Sequence, residues 1–348
     1  MIGTRFKRSD RFLKAVADQP VAIVTHDNPD PDAIASAWAL LVLLRKTQDQ
    51  VGRLIGRGAI VRAENLHMLR LLEPPLELVD DFPDPATAIV LVDCMPTGSN
   101  HLLDGSPLRP TAVIDHHLAP RKTFRVAFRD IRPRVAATAS IAAGYLREQD
   151  VQPSPELATA LLFAIRTEII GQQRRVTALD RRVLGWLGNL ADHGKLAEIE
   201  AAPLPRTYFA DLLLALENVF IYEDAAICFL PQAAGAEVVG EVADLVVRCA
   251  GVRNVLCGAA IENDFILSAR TAAETGEVVP LLGATLRGVG HWGGHEHRAG
   301  GKIQNLRQDG RAPESLMATL KERWLTACRV DQQRGTRLVA KQAILEHL

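Results

Sequence analysis

Seven residues, His26-Asp27-Asn28-Pro29-Asp30-Pro31-Asp32, set one imidazole and three carboxylates directly behind an apolar stretch at 21–25. An apolar helix pattern at 33–44 follows at once. A loop at the carboxyl end of a buried strand is where open α/β sheets place their sites. Pro29 and Pro31 stiffen it and bias Asn28 and Asp30 towards extended backbone, which lets alternate side chains point to one side. His26, Asp30 and Asp32 then converge as nitrogen and oxygen donors. Such a set suits Mn²⁺, or Mg²⁺ and Co²⁺, better than a thiolate-seeking ion. The plainer alternative is a helix N-cap at Asp32 preceded by two solvated acids.

Two further apolar runs end in the same chemistry. Residues 88–92 lead into Asp93, and residues 112–114 into Asp115-His116-His117. In a parallel sheet the carboxyl ends of such strands lie side by side. A histidine pair straight after a strand, with an aspartate before it to orient a ring, is a metal-site pattern more than a core pattern.

The elements that must position these groups alternate. Strands are expected at 21–25, 51–55, 88–93 and 112–115, and helices at 33–46, 63–72, 138–148 and 155–167, after a leading helix within 1–20. That alternation predicts a doubly wound, mainly parallel sheet. Helices at 177–191 and 206–218 flank Pro203 and Pro205. Beyond them come a strand at 221–230, a helix at 238–250, strands at 255–261 and 264–270 turning at Asn263-Asp264, and a helix at 277–288. The hairpin predicts a smaller α/β domain with a mixed sheet. The expected division is 1–203, 204–330 and a helical tail at 331–348, with the active site in the cleft between the domains.

The order His26–Asp32, Val92-Asp93-Cys94, Ile114-Asp115-His116-His117 resembles the first three motifs of the DHH phosphoesterase superfamily. These are two-metal hydrolases that include RecJ-type exonucleases, nanoRNase/pAp phosphatases and family II pyrophosphatases. Gly293-Gly294-His295, followed by Gly300-Gly301, is similar to the signature of the DHH-associated C-terminal domain, and Ser268-Ala269-Arg270 to its Ser-x-Arg strand. The resemblance runs from about residue 20 to about residue 305 and implies metal-assisted hydrolysis with two divalent cations, Mn²⁺ first among them. It implies that His26, Asp30 and Asp93 hold one ion, and that Asp32, Asp93, His116 and a fourth-motif acid hold the other, with Asp93 shared. His117 would face the substrate phosphate and Asp115 would orient the histidine pair. Asp27 is left solvated or behind the ligands. The chain departs from the family at the fourth motif, where Glu168 stands in place of an aspartate. Glu168 is expected to remain a ligand; the alternative is a helix-end acid beside a damaged second site.

In the second domain Arg270 suits bidentate phosphate contact. Ser268 lies on the same strand, and Gly293 and Gly294 permit amides to cup an anion. His295 would touch a terminal phosphate or nucleotide, whereas His291 and His297 are expected to be packing or rim groups. Arg62, Glu64 and Asn65 are explained nearly as well by helix-start chemistry as by a site.

Composition bounds the partners. Net charge is −1, so no global basic field recruits long duplex nucleic acid. Aromatic residues make up 5% of the chain, too few for a long base-stacking platform. Five scattered cysteines form no Cys-x-x-Cys pair, against a zinc or disulfide framework. No apolar run reaches the roughly 20 residues a bilayer needs. The expectation is a cytoplasmic phosphoesterase without membrane contact, with a homodimer as the oligomer to test. Its expected substrates are short oligonucleotides, linear dinucleotides or pAp. An exopolyphosphatase-type phosphatase and a catalytically weak nucleotide-binding regulator are the alternatives.

Overall fold

The computed structural model describes residues 7–82, 88–98, 100–117, 124–172 (side chains to 169), 176–233, 235–272, 276–294, 296–304, 306, 312–332 and 334–339. The chain forms two compact units, Met1–Ala202 and Pro203–Leu348.

The first unit runs α1 (Arg8–Ala15), β1 (Val21–Val24), α2 (Pro31–Gln48), β2 (Gly52–Gly56), α3 (Ala63–Leu72), β3 (Leu76–Leu78), β4 (Ala88–Val92), β5 (Ala112–Asp115), β6 (Phe128–Ile131), α4 (Thr138–Glu148), α5 (Pro155–Gln172), α6 (Ala178–Gly188) and α7 (His193–Glu200). All six strands are parallel, in the order β3-β2-β1-β4-β5-β6. β1, β4 and β5 are buried throughout, which is why they read as unbroken apolar runs. The order reverses at β1: its neighbour on one side is β2 and on the other β4. Their carboxyl ends border the crevice that such a switch point opens.

The two faces of this sheet are covered differently. Val21, Ile23, Val90 and Ile114 join a core with residues of α1 to α7. Ala22, Val24, Ile89, Leu91 and Val113 pack instead on Cys94, Leu102, Leu103, Leu108 and Phe124, all from connecting segments. The reason lies in the connections. β4 to β5 and β5 to β6 are joined by stretches without helix among the described residues, so helical cover falls on one face.

The second unit runs α8 (Arg206–Glu217), β7 (Val219–Tyr222), β8 (Ala225–Leu230), α9 (Ala236–Val246), β9 (Asn254–Ile261), β10 (Asp264–Thr271), α10 (Val278–Leu286), β11 (His291–Gly294), β12 (Arg298–Ile303), α11 (Glu314–Cys328) and β13 (Thr336–Arg337). Its sheet is mixed, in the order β11-β12-β10-β9-β8-β7-β13, with β8 and β9 parallel and the other pairs antiparallel. The parallel pair takes α9 as its crossover. α9 covers one face through Val238, Val239, Val242 and Val246. α10 and α11 cover the other through Leu282, Leu286, Leu320 and Trp324.

Several sequence expectations need correction. The single strand expected at 221–230 is a hairpin, turning at Glu223 with φ 52°. The tail expected to be helical contributes β13, paired antiparallel with β7; residues 340–348 lie outside the described residues. β3, β6, β11, β12, α7 and α11 were not foreseen. β3 and β6 are short and partly exposed edge strands, so neither shows an apolar run.

Candidate metal centre

Both ends of the loop after β1 are pinned by its neighbours. Thr25 and Asn28 donate backbone N–H to the carbonyls of Ile55 (3.1 Å) and Arg57 (2.7 Å), and Asp27 to that of Asn100 (2.7 Å). Asn28 has φ 53°, a left-handed conformation in place of the extended one expected before Pro29. Asparagine tolerates that region, and here its Oδ1 accepts from Ala59 N at 2.8 Å. A side chain on Gly58 would sit 2.3 Å from that oxygen, and Gly58 itself has φ 91°. Asp27 is half-buried and turned to Arg57, not to the centre. Its carboxylate takes both Nε (2.9 Å) and Nη2 (2.6 Å) of Arg57 and struts two loops together.

The helix cap is Asp30, which accepts from Ala33 N at 3.0 Å with Pro31 at the first helical position. Asp32 is therefore not the N-cap. It is buried in the first turn of α2, and its carboxylate accepts from the amides of Thr138 (2.8 Å) and Ala139 (2.6 Å). Those amides open α4, whose N-terminus favours an anion. The Thr138 hydroxyl also donates to Asp93 Oδ1 at 2.7 Å.

Asp93 leaves β4 with φ 59°, a costly conformation for a residue with a side chain, held here by its backbone bond to Ile114 O at 3.0 Å. This turn carries the carboxylate among three imidazoles. Oδ2 lies 3.7 Å from His26 Nε2, and Oδ1 lies 3.5 Å from His116 Nε2 and 3.6 Å from His117 Nδ1. His26 Nε2 is also 3.7 Å from Asp30, and His116 Nε2 is 3.6 Å from Asp32. These gaps are long for hydrogen bonds. They are close to the roughly 3 to 3.5 Å between donors that each approach one ion at about 2.1 Å.

Among the described residues two trios bring one donor atom from each member within 4.8 Å of one another: His26, Asp30 and Asp93, and Asp93, His116 and His117. Asp93 belongs to both. His26 and His116 are oriented from behind, through the ring nitrogen opposite the one that faces Asp93. The Nδ1 of His26 meets the Asp27 carbonyl at 2.8 Å, and that of His116 meets the Val135 carbonyl at 3.4 Å. Asp115, fully buried, takes the Nδ1 of His117 at 2.7 Å and its amide at 2.8 Å. Asp115 thus holds His117, while His116 has a carbonyl behind it, a division the sequence reading did not foresee.

Titration reflects crowded negative charge. Burial pushes Asp32 up to about 8, with Asp30 adding to the push against the Ala139 and Thr138 amides. Burial and the carboxylates of Asp32, Asp30 and Asp115 hold Asp93 well above the usual range. Burial works to lower His26, but Asp30 outweighs it and His26 rises to about 9. Asp115 Oδ2 is buried without a hydrogen-bond partner among the described residues. Four carboxylates and three imidazoles, partly buried and short of positive charge, fit divalent cations by number, hardness and spacing.

Glu168 lies half-buried in α5, and neither trio includes it. In the second unit the structure places Arg270 nine-tenths buried on β10, with Nε 2.6 Å and Nη2 3.4 Å from the Asp244 carboxylate and Nη1 2.7 Å from Ser268 Oγ. Its bidentate partner is thus Asp244 of α9, which also accepts from Arg298 at 2.6 Å. Arg270 and Arg298 stand directly opposite each other on β10 and β12, a like-charge pair that Asp244 offsets. Gly293 and Gly294 lie on strand β11, paired with Gly300 and Ala299. A Cβ on Gly294 would meet Arg298 O at 2.3 Å, and one on Gly301 would meet Leu286 at 2.4 Å, so close packing accounts for both. His295 lies outside the described residues. Arg62 is the N-cap position of α3, as helix-start chemistry suggested.

Sequence reasoning missed Thr138, the Ala139 amide, the Val135 carbonyl, Arg57 and Asp244. A threonine opening an apolar helix reads as a cap; only the tertiary fold turns its hydroxyl to Asp93.

Known proteins resemble this chain in sequence and fold. The sequence model of the DHH family, N-terminal domain, matches residues 20–165, which contain both trios. An uncharacterized protein of Methanocaldococcus jannaschii is 30% identical over 286 residues, covering 82% of this chain and 58% of that protein. The chain thus spans somewhat over half the length of that relative. The bifunctional oligoribonuclease and PAP phosphatase NrnA of Thermus thermophilus is 29% identical over 234 residues, 65% of this chain and 67% of that one. Among solved structures, an exopolyphosphatase-related protein from Bacteroides fragilis has a similar fold, with a TM-score of 0.68 at 17% identity, covering 92% of this chain and 97% of that one. Residues 20–165 thus carry the N-terminal domain of the DHH family.

Proposed function

We propose that this chain is a divalent-cation-dependent phosphoesterase, with Mn²⁺ as its ion, acting on short phosphodiester or phosphomonoester substrates. The observation that carries this is the meeting of His26, Asp30, Asp32, Asp93, His116 and His117 at the carboxyl ends of β1, β4 and β5. On this reading His26, Asp30 and Asp93 hold one ion, and Asp32, Asp93, His116 and Glu168 the other. Bound cations supply Lewis acidity towards phosphoryl oxygens. The chain's own part is to fix the donors. α4 holds Asp32 and Asp93, and Asp115 holds the His117 ring so that it meets the substrate phosphate. Arg270 and Ser268, with Gly293, Gly294 and His295, grip the substrate.

Short oligonucleotides, linear dinucleotides and pAp are the proposed substrates, supported by the activities named for the Thermus relative and by the shortage of aromatic residues. All five cysteines are free, which suits a reducing, cytoplasmic setting. A panel of pApA, pGpG, pAp, pyrophosphate and polyphosphate with Mn²⁺ tests this. Turnover of a dinucleotide or pAp is expected. Turnover of polyphosphate alone would favour the exopolyphosphatase alternative.

One observation favours a second reading, a weakly catalytic nucleotide-binding regulator: Glu168 stands in neither trio. The enzyme reading predicts that Glu168→Gln loses about tenfold or more in activity, as lost metal-site contacts do, while Glu168→Asp retains it. The regulator reading predicts that both substitutions are silent and that one ion binds per chain. Steady-state rates with metal titration of the three proteins separate the two.

A further inference from the structure

α8 has two apolar sides, and the fold uses one of them. Tyr208, Leu212 and Ala215 pack into the core built around α9, and the Tyr208 hydroxyl donates to Glu241 of α9. On the other side Phe209 is 55% exposed, Leu213 62% and Leu214 43%. A surface helix ordinarily turns polar residues outward, and an apolar outer stripe marks an interaction site.

Charge at the two ends of this stripe identifies what covers it. Arg206, Ala210, Leu213 and Glu217 follow one another at helical spacing along a single line, with Phe209 and Leu214 flanking it. Neither Arg206 nor Glu217 has an ion-pair partner among the described residues. Both are also placed against the dipole of their own helix, a cation at the amino end and an anion at the carboxyl end. An antiparallel copy of the same helix reverses both penalties. It sets Arg206 of each chain beside Glu217 and the carboxyl end of the other, and lays Leu213 of each over Phe209 and Ala210 of the other. A stripe complementary to itself in this way is what a two-fold interface requires.

We infer that two copies of this chain associate through α8, packed antiparallel about a two-fold axis. One helix stripe makes a small interface, so the expected dissociation constant is on the order of 10 µM.

Sedimentation velocity on the full chain, from well below to well above that concentration, tests the inference. A reversible monomer–dimer equilibrium is expected. Leu213→Glu should weaken it about tenfold or more, as loss of a central apolar anchor does. Leu213 is largely exposed in the monomer, so this variant should keep the parent's melting temperature and circular dichroism. Arg206→Glu should weaken association by setting like charges together, and combining it with Glu217→Arg should restore the parent constant. A chain that stays monomeric throughout would overturn the inference. So would a dimer indifferent to Leu213→Glu, or a double charge swap without rescue, the result expected if the first unit or another protein covers this face.

Discussion

Asp93→Asn is expected to remove nearly all phosphoesterase activity while leaving the chain folded. Asp93 is the one side chain shared by the two trios, with Oδ2 beside His26 and Oδ1 beside His116 and His117. Asparagine keeps the shape, tolerates the left-handed backbone at this position and can still accept from Thr138. What it loses is the charge that the two proposed ions would share. Several kcal/mol of electrostatic stabilisation at about 1.4 kcal/mol per tenfold makes the loss about a thousandfold or more. Stability should move the other way in metal-free protein. The folded pKa of Asp93 lies above its unfolded value, so holding it ionised lowers stability once pH passes the ordinary carboxylate range. Asp93→Asn should therefore raise the apo melting temperature at neutral pH. Asp27→Ala is the contrast. It breaks a partly exposed pair with Arg57, worth about 1 kcal/mol or less, and should change kcat/KM only a few-fold. Equal damage from the two substitutions would show that the loop after β1 has been misread.

Removing divalent cations should abolish turnover, with Mn²⁺ restoring it. Among the described residues of the cluster the cationic candidates are His26 and His116, which would be ligands, and His117, which would face the substrate, so none replaces the missing positive charge. A pH signature follows from the same crowding. In metal-free protein His26 keeps a proton up to about 9 and Asp32 up to about 8. Both protons must leave before these atoms can act as donors to an ion. Loading at pH 7 should therefore release protons, and apparent affinity should climb as pH rises towards 8. Calorimetric titration of Mn²⁺ in two buffers of different ionisation enthalpy reads the release directly. Full activity in excess chelator, or binding without proton release, would count against the assignment.

The chemistry of this site was legible because the sheet is parallel and buried. β1, β4 and β5 each show as an apolar run, and the functional residues come at its end, as at Val92-Asp93 and Ile114-Asp115. The parts that stayed hidden are set by contacts distant in sequence. Asp32 looks like a cap until α4, about a hundred residues on, offers its amides. Asn28 obeys its own side-chain bond to Ala59 and not the proline that follows it. The bond of Arg270 to Asp244 and the strand pairing of the glycines around 293–301 likewise join different elements and are invisible locally. Glu168, where the chain departs from its family, also sits in neither trio.

The count of ions bound per chain tests the central claim most directly. Calorimetric titration of dialysed protein with Mn²⁺ should give two ions per chain. Asp93→Asn should lower that count or weaken both steps together, because both trios contain the substituted carboxylate. A single ion in the parent, or two ions undisturbed by Asp93→Asn, would contradict a two-metal centre built around Asp93.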